Sequence, residues 1–521
     1  MITSLIGISQ AHKYEILFQT PIRSKLIRYH GGHGHHHGHD HDHDHDHDHP
    51  HDHSKLKYDP DNPQHLQAYI KYQKRMQQHP NKNLENKHGD LLELLKIVSS
   101  PEEAVVASKL PFIPTDLPEL CKNLNMDAKE LGPMLDSMAD RGIVFDLRMG
   151  EEKVNKYCLA PIAIGIFEFL YMRTNRITGV DFKRLSPVMD SYLRKSPEIA
   201  KMFFEGETAI GRAMVREETI SPEHGTYFFD YEKATMAIKN AKIMSIASCA
   251  CRSMQSDLGN ACNAPLRTCM TFGNAADYMI RHGIAEKADK YEMLDILEES
   301  KSHGLVQIGD NTKNTSFICN CCGVNENNNR DEGCCCEFLN SVKFYKAKNA
   351  IHTSNFIADV NPKTCIGCRV CERRCPLGAI YMEEVEPENK IEEKESQRTN
   401  LLGAKSKKKR KKRKKRIAKI DPNLCYGCGV CVTYCNHGAL KMIPKKERVW
   451  TPENSFDYHI ARCIERGNLG DLLNKYPHKF SYRALGRIVN TITSLPPVKA
   501  FLGIKGVKSK LLSMAAKAGR N

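Results

Sequence analysis

The distribution of the cysteines constrains this chain more than any other sequence feature. Eighteen of the 21 cysteines in its 521 residues lie between Cys249 and Cys435, in tight clusters. The N-terminus carries no pattern typical of an export signal, so we expect a reducing compartment in which clustered thiols bind metal. The pattern therefore predicts a cytoplasmic metal–thiolate protein and argues against a fold held by disulfides.

Eight of these cysteines belong to an internal repeat. Residues 357–382 and 417–442 align without a gap at an offset of 60, and 12 of 26 positions are identical. Each copy contains C-x2-C-x2-C-x3-C, in which three thiols wrap one face of a four-iron cubane and the fourth binds the cluster of the other copy. Zinc ribbons are the alternative, but they have no use for the third and fourth thiols. Gly367 and Gly427 fit the loops because glycine lets a chain turn close to a cluster.

With this spacing, the repeat resembles the bacterial-type ferredoxins that carry two [4Fe–4S] clusters. The resemblance covers about 52 residues and implies a small βαββαβ module. Pro376 matches the usual Cys-Pro ending of the first run, whereas Asn436 departs from it at a position that supplies no ligand. The resemblance implies that cluster I takes Cys365, Cys368, Cys371 and Cys435, and that cluster II takes Cys425, Cys428, Cys431 and Cys375.

Ten further cysteines precede the repeat, and their spacing fits neither a zinc ribbon nor the cubane run. We expect metal ligation, with thiol pKa values lowered if cationic groups such as Arg252 lie nearby. Three interpretations stay open: an additional redox centre, a structural metal site with spare buried thiols, and a catalytic dithiol pair. The metal of such a centre would be an iron–sulfur cluster or zinc. The ten residues are Cys249, Cys251, Cys262, Cys269, Cys319, Cys321, Cys322, Cys334, Cys335 and Cys336.

The spacing of the apolar residues predicts an α+β multidomain chain. Helix, turn, helix and hairpin resemble a winged-helix domain, and a mainly helical Cys-rich domain is expected to follow it. The whole arrangement is similar to a group of multidomain proteins from anaerobes that join these parts to a dicluster ferredoxin, a resemblance that implies no particular reaction. The predicted parts are a leader (1–89) with a disordered His/Asp-rich segment (30–53), the winged-helix-like domain (90–172), the helical Cys-rich domain (173–345), the ferredoxin module (346–445) with a charged disordered insertion (383–416), and a basic helical tail (446–521).

Charge is concentrated in short segments. Ten of the 15 net positive charges form the run 407–416, and 13 of the 24 histidines lie in the His/Asp tract. The tract suits divalent metals such as nickel, zinc or copper, and a neutral low-complexity segment is the alternative. The second winged-helix helix, Asp127 to Arg141, carries a net charge of −2, so nucleic-acid binding is not expected. The basic run is expected to be a solvated loop or to dock an acidic redox partner, nucleic acid or an anionic membrane surface. The tail is expected to pack on the body or to lie on anionic lipid.

These features predict an iron–sulfur electron-transfer protein. It would act as an electron carrier or as a subunit of an anaerobic oxidoreductase, in the cytoplasm or at the inner face of the membrane. An iron–sulfur or metal-responsive regulator and a metal-trafficking protein are the alternatives. No apolar segment reaches about 18 residues and no glycine-rich phosphate-binding motif occurs, so neither a membrane span nor a nucleotide cofactor is expected.

Overall fold

The computed structural model describes the chain between Tyr58 and Pro496, with gaps. The His/Asp tract, Cys334, most of the basic run and the end of the tail lie outside the described residues, so the predictions for them stay predictions. The described ranges are 58–79, 84–149, 153–177, 179–204, 206–323, 335–385, 415–474 and 478–496.

The N-terminal part is a set of helices around a three-stranded antiparallel sheet with strand order β1-β3-β2. The carboxylates of Asp116 and Asp127 accept hydrogen bonds from the backbone N–H groups of Glu119 and Lys129 and so cap both middle helices. Asp127, where the sequence predicts the second of these helices to begin, is its N-cap residue. The elements are α1 (Pro63–Gln77), α2 (Asp90–Val98), α3 (Pro101–Ala107), β1 (Thr115–Asp116), α4 (Leu117–Leu124), α5 (Ala128–Asp140), β2 (Val144–Met149) and β3 (Val154–Leu159).

The assignment of all residues up to 89 to a leader is wrong. Helix α1 buries Tyr69, Tyr72 and Met76 in the N-terminal core, and the Tyr69 hydroxyl donates a hydrogen bond to the Ser99 carbonyl (2.6 Å). The sequence of α1 is polar on average because its apolar stripe is narrow. Two of the buried residues are tyrosines, whose apolar rings pack while their hydroxyl groups need a polar partner.

A seven-stranded sheet crosses the middle region. The predicted domain at 173–345 does contain more helix than strand, but the prediction missed this sheet. Its strand order is β10-β4-β8-β9-β6-β5-β7, with β10 parallel to β4 and the other pairs antiparallel. Strands β5 and β8 are buried along their whole length, including their polar residues. Each alternates apolar and polar residues over only its first three positions, which is too short to identify a strand in a sequence. The elements are α6 (Phe167–Tyr171), α7 (Phe182–Arg194), α8 (Pro197–Phe203), β4 (Gly211–Ala213), α9 (Ala234–Asn240), β5 (Met244–Ser248), α10 (Ala250–Asp257), β6 (Arg267–Phe272), α11 (Gly273–Arg281), β7 (Glu286–Lys287), α12 (Lys290–Ser302), β8 (Val306–Asp310), β9 (Phe317–Cys321), α13 (Glu337–Tyr345) and β10 (Ile351–His352).

The two repeats form two strand–helix–strand units whose strands pair with each other. The first and last strands pair from Phe356↔Pro444 to Val360↔Leu440, and the inner two pair from Ile380↔Ile420 to Val385↔Lys415. The element order therefore matches the predicted βαββαβ module. The elements are β11 (Phe356–Val360), α14 (Val370–Arg374), β12 (Ile380–Val385), β13 (Lys415–Ile420), α15 (Val430–Thr433) and β14 (Leu440–Pro444).

Both ends of the predicted disordered insertion at 383–416 are in fact strand. Residues 383–385 extend β12, and residues 415–416 begin β13. The prediction was wrong here because opposite charges meet across the ladder. Glu384 pairs with Arg416 (2.9 Å) and Glu383 with Lys419 (3.2 Å), so charges that repel within each segment attract between the strands.

Three helices follow the module: α16 (Ser455–Arg466), α17 (Leu469–Leu472) and α18 (Phe480–Ser494). Helix α16 buries Ile460, Cys463 and Ile464 in the N-terminal core, so this part of the predicted tail belongs to the folded body. Helix α18 instead leaves Leu485 and Ile488 more than half exposed. Among the helices that the structure describes, none combines the length and apolar character needed to cross a membrane.

Candidate metal centres

Each repeat places its four cysteines on one loop and one short helix. In the first copy, Cys365 and Cys368 lie between β11 and α14, Cys371 lies on α14, and Cys375 ends that helix by donating its N–H to the Cys371 carbonyl (3.0 Å). The second copy has the same arrangement around α15, with Cys425, Cys428, Cys431 and Cys435. Because the strands of the copies pair with each other, the last cysteine of each copy lies beside the loop of the other.

Gly367 and Gly427 let these loops pack directly on neighbouring backbone. Their φ angles are +71° and +69°, a region that side chains rarely adopt. A Cβ on Gly367 would lie 2.4 Å from the carbonyl oxygen of Arg416, and a Cβ on Gly427 would lie 2.0 Å from that of Phe356. The prediction of glycine for the turn is confirmed, and the close approach of another backbone is a second reason for it.

One thiol group contains three cysteines of the first copy and the last cysteine of the second. Burial, together with the nearby thiols of Cys365, Cys368 and Cys435, raises the pKa of Cys371 to about 11. Cys365 and Cys371 are buried, whereas Cys368 is exposed. The Ala418 N–H donates a hydrogen bond to Cys365 Sγ (3.4 Å). These four cysteines are the set that the resemblance assigns to cluster I.

The other group, Cys375, Cys425, Cys428 and Cys431, lines a cavity of about 30 Å3. Burial, together with the neighbouring thiols of Cys375 and Cys425, raises the pKa of Cys428 to about 12. The Ala379 N–H donates a hydrogen bond to Cys375 Sγ (3.2 Å). Four thiols that converge on one enclosed space suit the four-thiolate coordination of a [4Fe–4S] cluster, and they are the set that the resemblance assigns to cluster II.

A larger concentration of thiols lies beside the seven-stranded sheet, around a cavity of about 90 Å3. Cys262 lies next to this lining and donates its backbone N–H to Cys335 Sγ (3.2 Å). The structure thus brings together nine of the ten predicted residues, and Cys334 lies outside the described part of the chain. The lining, called the thiol cavity below, contains Cys249, Cys251, Cys269, Cys319, Cys321, Cys322, Cys335 and Cys336.

Strands and helix starts converge on the thiol cavity. Cys269 lies on β6, and Cys319 and Cys321 lie on the adjacent strand β9. Cys249 and Cys336 are the N-cap residues of α10 and α13. The partial positive charge at a helix N-terminus favours a thiolate over a thiol, so the N-cap position of Cys249 suits metal ligation.

Arg252 supplies a buried positive charge at this site, as the sequence analysis anticipated. Its side chain is only 2% exposed, and it donates hydrogen bonds to the carbonyls of Pro265 (2.6 Å) and Asn320 (2.5 Å) and to the Thr268 hydroxyl (2.8 Å). The thiols of Cys249 and of other cysteines raise the pKa of Arg252 against the opposing effect of burial. The guanidinium therefore stays charged and offsets negative charge on the thiolates.

Two cavity thiols have lowered pKa values. A hydrogen bond from Cys251, supported by the charge of Arg252, lowers the pKa of Cys249 to about 7. Hydrogen bonds from Cys269 and Cys321 lower the pKa of Cys319 well below its usual value. The thiols that donate these hydrogen bonds, Cys251, Cys269 and Cys321, have raised pKa values. Cys249 and Cys319 are therefore the residues of these groups that favour the thiolate, the form that binds metal.

Three thiols at one side of the cavity form a compact triad. The Sγ atoms of Cys262, Cys322 and Cys335 all lie within 4.8 Å of one another, and within the described ranges no other set of histidines, cysteines and carboxylates meets that criterion. All three residues are buried. The triad can therefore hold a single metal ion by three thiolates.

Two carboxylates of the thiol cavity were missed by the sequence analysis. Burial raises the pKa of Glu168 to about 8 and that of Glu337 to about 7. Glu168 accepts a hydrogen bond from the Gly165 N–H (2.8 Å), and Glu337 accepts one from Arg194 (3.2 Å). The sequence signal for this site was Glu168 itself, which interrupts the apolar segment Phe167–Tyr171. Burying a carboxylate costs free energy, so a carboxylate in such a segment indicates a candidate functional residue.

Comparison with known proteins identifies the repeat region. Residues 364–439 match the family described as the 4Fe-4S dicluster domain. A ferredoxin from Alicyclobacillus acidocaldarius subsp. acidocaldarius is 42% identical over 50 residues, which is 10% of this chain and 64% of that ferredoxin. The chain thus matches less than two thirds of the length of this curated relative. No solved structure matches the chain. The predicted ferredoxin-like dicluster domain is confirmed, and iron–sulfur electron transfer is the role that the match supports.

Proposed function

Because residues 364–439 are a ferredoxin-like 4Fe-4S dicluster domain, we propose that this chain is an electron-transfer protein carrying two [4Fe–4S] clusters. The observation that carries the proposal is the interleaved grouping of the eight thiols, in which the last cysteine of each repeat joins the group of the other. Bound clusters would each accept and release one electron. The chain's own residues supply the thiolates, exclude water and donate N–H bonds to sulfur, all of which tune the potentials.

A protein partner would reach cluster I more easily than cluster II. Cys368 is exposed, and so are Lys363, Arg369 and Arg373, which are close to it in the sequence. Arg369 pairs with Glu372 (2.7 Å), which leaves an excess of positive charge in this segment. A cationic surface beside an exposed ligand suits an acidic redox protein, because charge complementarity speeds encounter and orients the partner. We place the chain in the cytoplasm, as a carrier for an anaerobic oxidoreductase or as one of its subunits.

The thiol cavity supports a further metal centre. Its convergent thiols, two of them with lowered pKa values, and its buried arginine favour metal ligation over spare packing thiols. An iron–sulfur centre would make the cavity a redox site, whereas zinc would make it structural. The His/Asp tract at 30–53 remains a candidate site for divalent metals, outside the described residues.

The winged-helix-like arrangement of residues 90–172 supports a structural or protein-contact role better than a regulatory one. Arg141, at the end of the candidate recognition helix, is fully buried and pairs with Glu103. It is therefore turned away from any phosphate, which leaves Lys129 as a cation on a helix with an excess of acids. A groove-binding helix needs exposed positive charge.

Helix α18 supports contact with an anionic surface. Leu485, Ile488 and Ile492 expose 57%, 56% and 50% of their area, and the helix also carries Arg483 and Arg487. An apolar face beside cationic residues is the pattern of a helix that lies in a membrane interface. We propose peripheral contact with anionic lipid at this face.

Metal analysis tests the proposed function. Iron and acid-labile sulfide are measured on protein purified without oxygen, and EPR spectra are recorded after reduction with dithionite. About eight irons are expected from the dicluster domain alone, and more if the thiol cavity binds iron. Cys365→Ser should remove the cluster I signal and retain cluster II, while the control Cys121→Ser, outside both groups, should change neither. Several zincs with almost no iron would refute the proposal.

A further inference from the structure

The ferredoxin module and the thiol cavity meet at two segments that carry cysteines. Gly323 directly follows Cys322 of the triad, and Pro376 directly follows Cys375 of the cluster II group. A Cβ on Gly323 would lie 2.5 Å from both Cα and Cβ of Pro376. The two backbones are therefore in direct contact, one residue away from a cysteine on each side.

The side chains around this contact form one continuous core. Leu377 and Cys428 pack in the same hydrophobic cluster as the triad cysteines. Cys428 belongs to the cluster II group. The other three members of that group pack in the core of the module itself, together with Cys365, Cys371 and Cys435 of the cluster I group. Cys368 of cluster I faces solvent. Cluster II is thus on the side of the module that faces the thiol cavity.

The triad has the chemistry of a metal site with room for another ligand. Three thiolates fill three positions of a tetrahedral ion, and soft thiolate ligands favour iron or zinc among abundant metals. Arg252 is close enough to Cys262 and Cys322 for their thiols to raise its pKa, so it offsets part of the negative charge that three thiolates bring. Of the two metals, only iron can change its charge by one.

We propose that the triad of Cys262, Cys322 and Cys335 binds an iron ion that exchanges electrons with cluster II across the Gly323–Pro376 contact. Electrons from a partner enter at the exposed cluster I, pass to cluster II, and then reduce the triad iron from the ferric to the ferrous state. Each step moves one electron, oxidises the donor cluster by one unit, and forms or breaks no bond. The inference rests on the proposed function, because it requires both clusters.

A glycine substitution tests the contact. Gly323→Ala places a methyl group against the Pro376 backbone and must widen the contact by about 1 Å to reach ordinary carbon–carbon separation. Gly225→Ala is the matched control, because a Cβ there meets nothing within 4 Å. The full-length protein is reduced by flash photolysis with less than one electron per chain from a deazaflavin donor. Freeze-quench EPR then follows the ferric thiolate signal.

The expected result is equal iron content in all three proteins, with decay of the ferric signal slowed several-fold in Gly323→Ala and unchanged in Gly225→Ala. Equal decay rates in the two variants would overturn the inference. Zinc in place of iron at the triad of the wild-type protein would also overturn it. Failure of the proposed function is distinguishable, because the wild-type protein would then lack the irons of the dicluster domain itself.

A second measurement covers the case in which Gly323→Ala loses iron. Magnetic coupling between the ferric triad and a reduced cluster should persist in Cys365→Ser, which removes cluster I, and disappear in Cys425→Ser, which removes cluster II. The opposite pattern would place cluster I beside the triad and overturn the inference.

Discussion

Gly427 offers a sharp test of how this fold holds cluster II. Alanine at this position would keep the loop sequence and all eight thiols but add one methyl group, 2.0 Å from the Phe356 carbonyl oxygen and 2.3 Å from the Ser354 hydroxyl. Gly438→Ala is the matched control in the same module, because Gly438 also has a positive φ (+58°) but a Cβ there meets nothing within 4 Å.

The expected loss of folding free energy in Gly427→Ala has three parts. Both variants place a side chain in the left-handed region, which costs about 1–2 kcal/mol. In Gly427→Ala the loop must also move by about 1.4 Å from β11 to reach a 3.4 Å contact, an overpacking strain of about 1–3 kcal/mol. That shift breaks the hydrogen bond from the Ser354 hydroxyl to the Gly427 carbonyl (2.7 Å), worth about 1 kcal/mol. Gly427→Ala should therefore be about 2–4 kcal/mol less stable than the control, which is more than tenfold in cluster retention.

The assay is iron loss to a chelator under anaerobic conditions, with EPR to identify the cluster that is lost. Gly427→Ala should lose cluster II at least tenfold faster than Gly438→Ala, with cluster I leaving later. Equal rates for the two variants would refute the argument, since the backbone contact would then contribute nothing to holding the cluster.

Three further predictions concern other parts of the chain. Glu103→Ala removes the ion-pair partner of Arg141 in the core and should lower the free energy of unfolding by about 3–5 kcal/mol in anaerobic urea titrations. The control Arg184→Ala breaks an exposed pair with Glu93 and should lower it by less than about 1 kcal/mol. Similar losses in the two variants would contradict the role of burial. Replacing residues 386–414 with Asn-Gly should leave the iron content unchanged. Strands β12 and β13 are paired up to Val385 and Lys415, so a two-residue turn can join them. Loss of iron would show that the replaced segment supports the clusters. Ile488→Glu combined with Ile492→Glu should abolish sedimentation with anionic vesicles while iron content stays normal, and unchanged sedimentation would exclude α18 as the contact.

The sequence predicted the dicluster module well because the residues that define each cluster-binding loop lie close together in the chain. The C-x2-C-x2-C-x3-C spacing specifies a loop, and the offset of 60 specifies two copies of it, so the eight thiols and both glycines are recognisable without coordinates. The helix starts at Asp116 and Asp127 were predictable for the same reason, since a cap acts within three residues.

The middle region was predicted poorly because its strands are buried on both faces. Met244–Ser248 and Val306–Asp310 alternate apolar and polar residues over only their first three positions, so their sequences do not separate strand from buried helix. The burial of α1 was missed for a different reason, because two of its four buried apolar residues are tyrosines, whose hydroxyl groups make the segment look polar.

The sequence by itself determined which residues carry the chemistry: the thiols, their chelating spacing in the repeat, and the arginine next to the first cysteine pair. Only the tertiary structure decided how the nine described cysteines of the middle region divide, because their grouping depends on strand pairing and helix starts. These bring residues 73 positions apart within hydrogen-bonding distance, as with Cys262 and Cys335. It also decided that Gly323 meets Pro376, and that Glu168 faces the thiols. A side chain's ligand chemistry is fixed by its type, but its neighbours are fixed by how the chain packs.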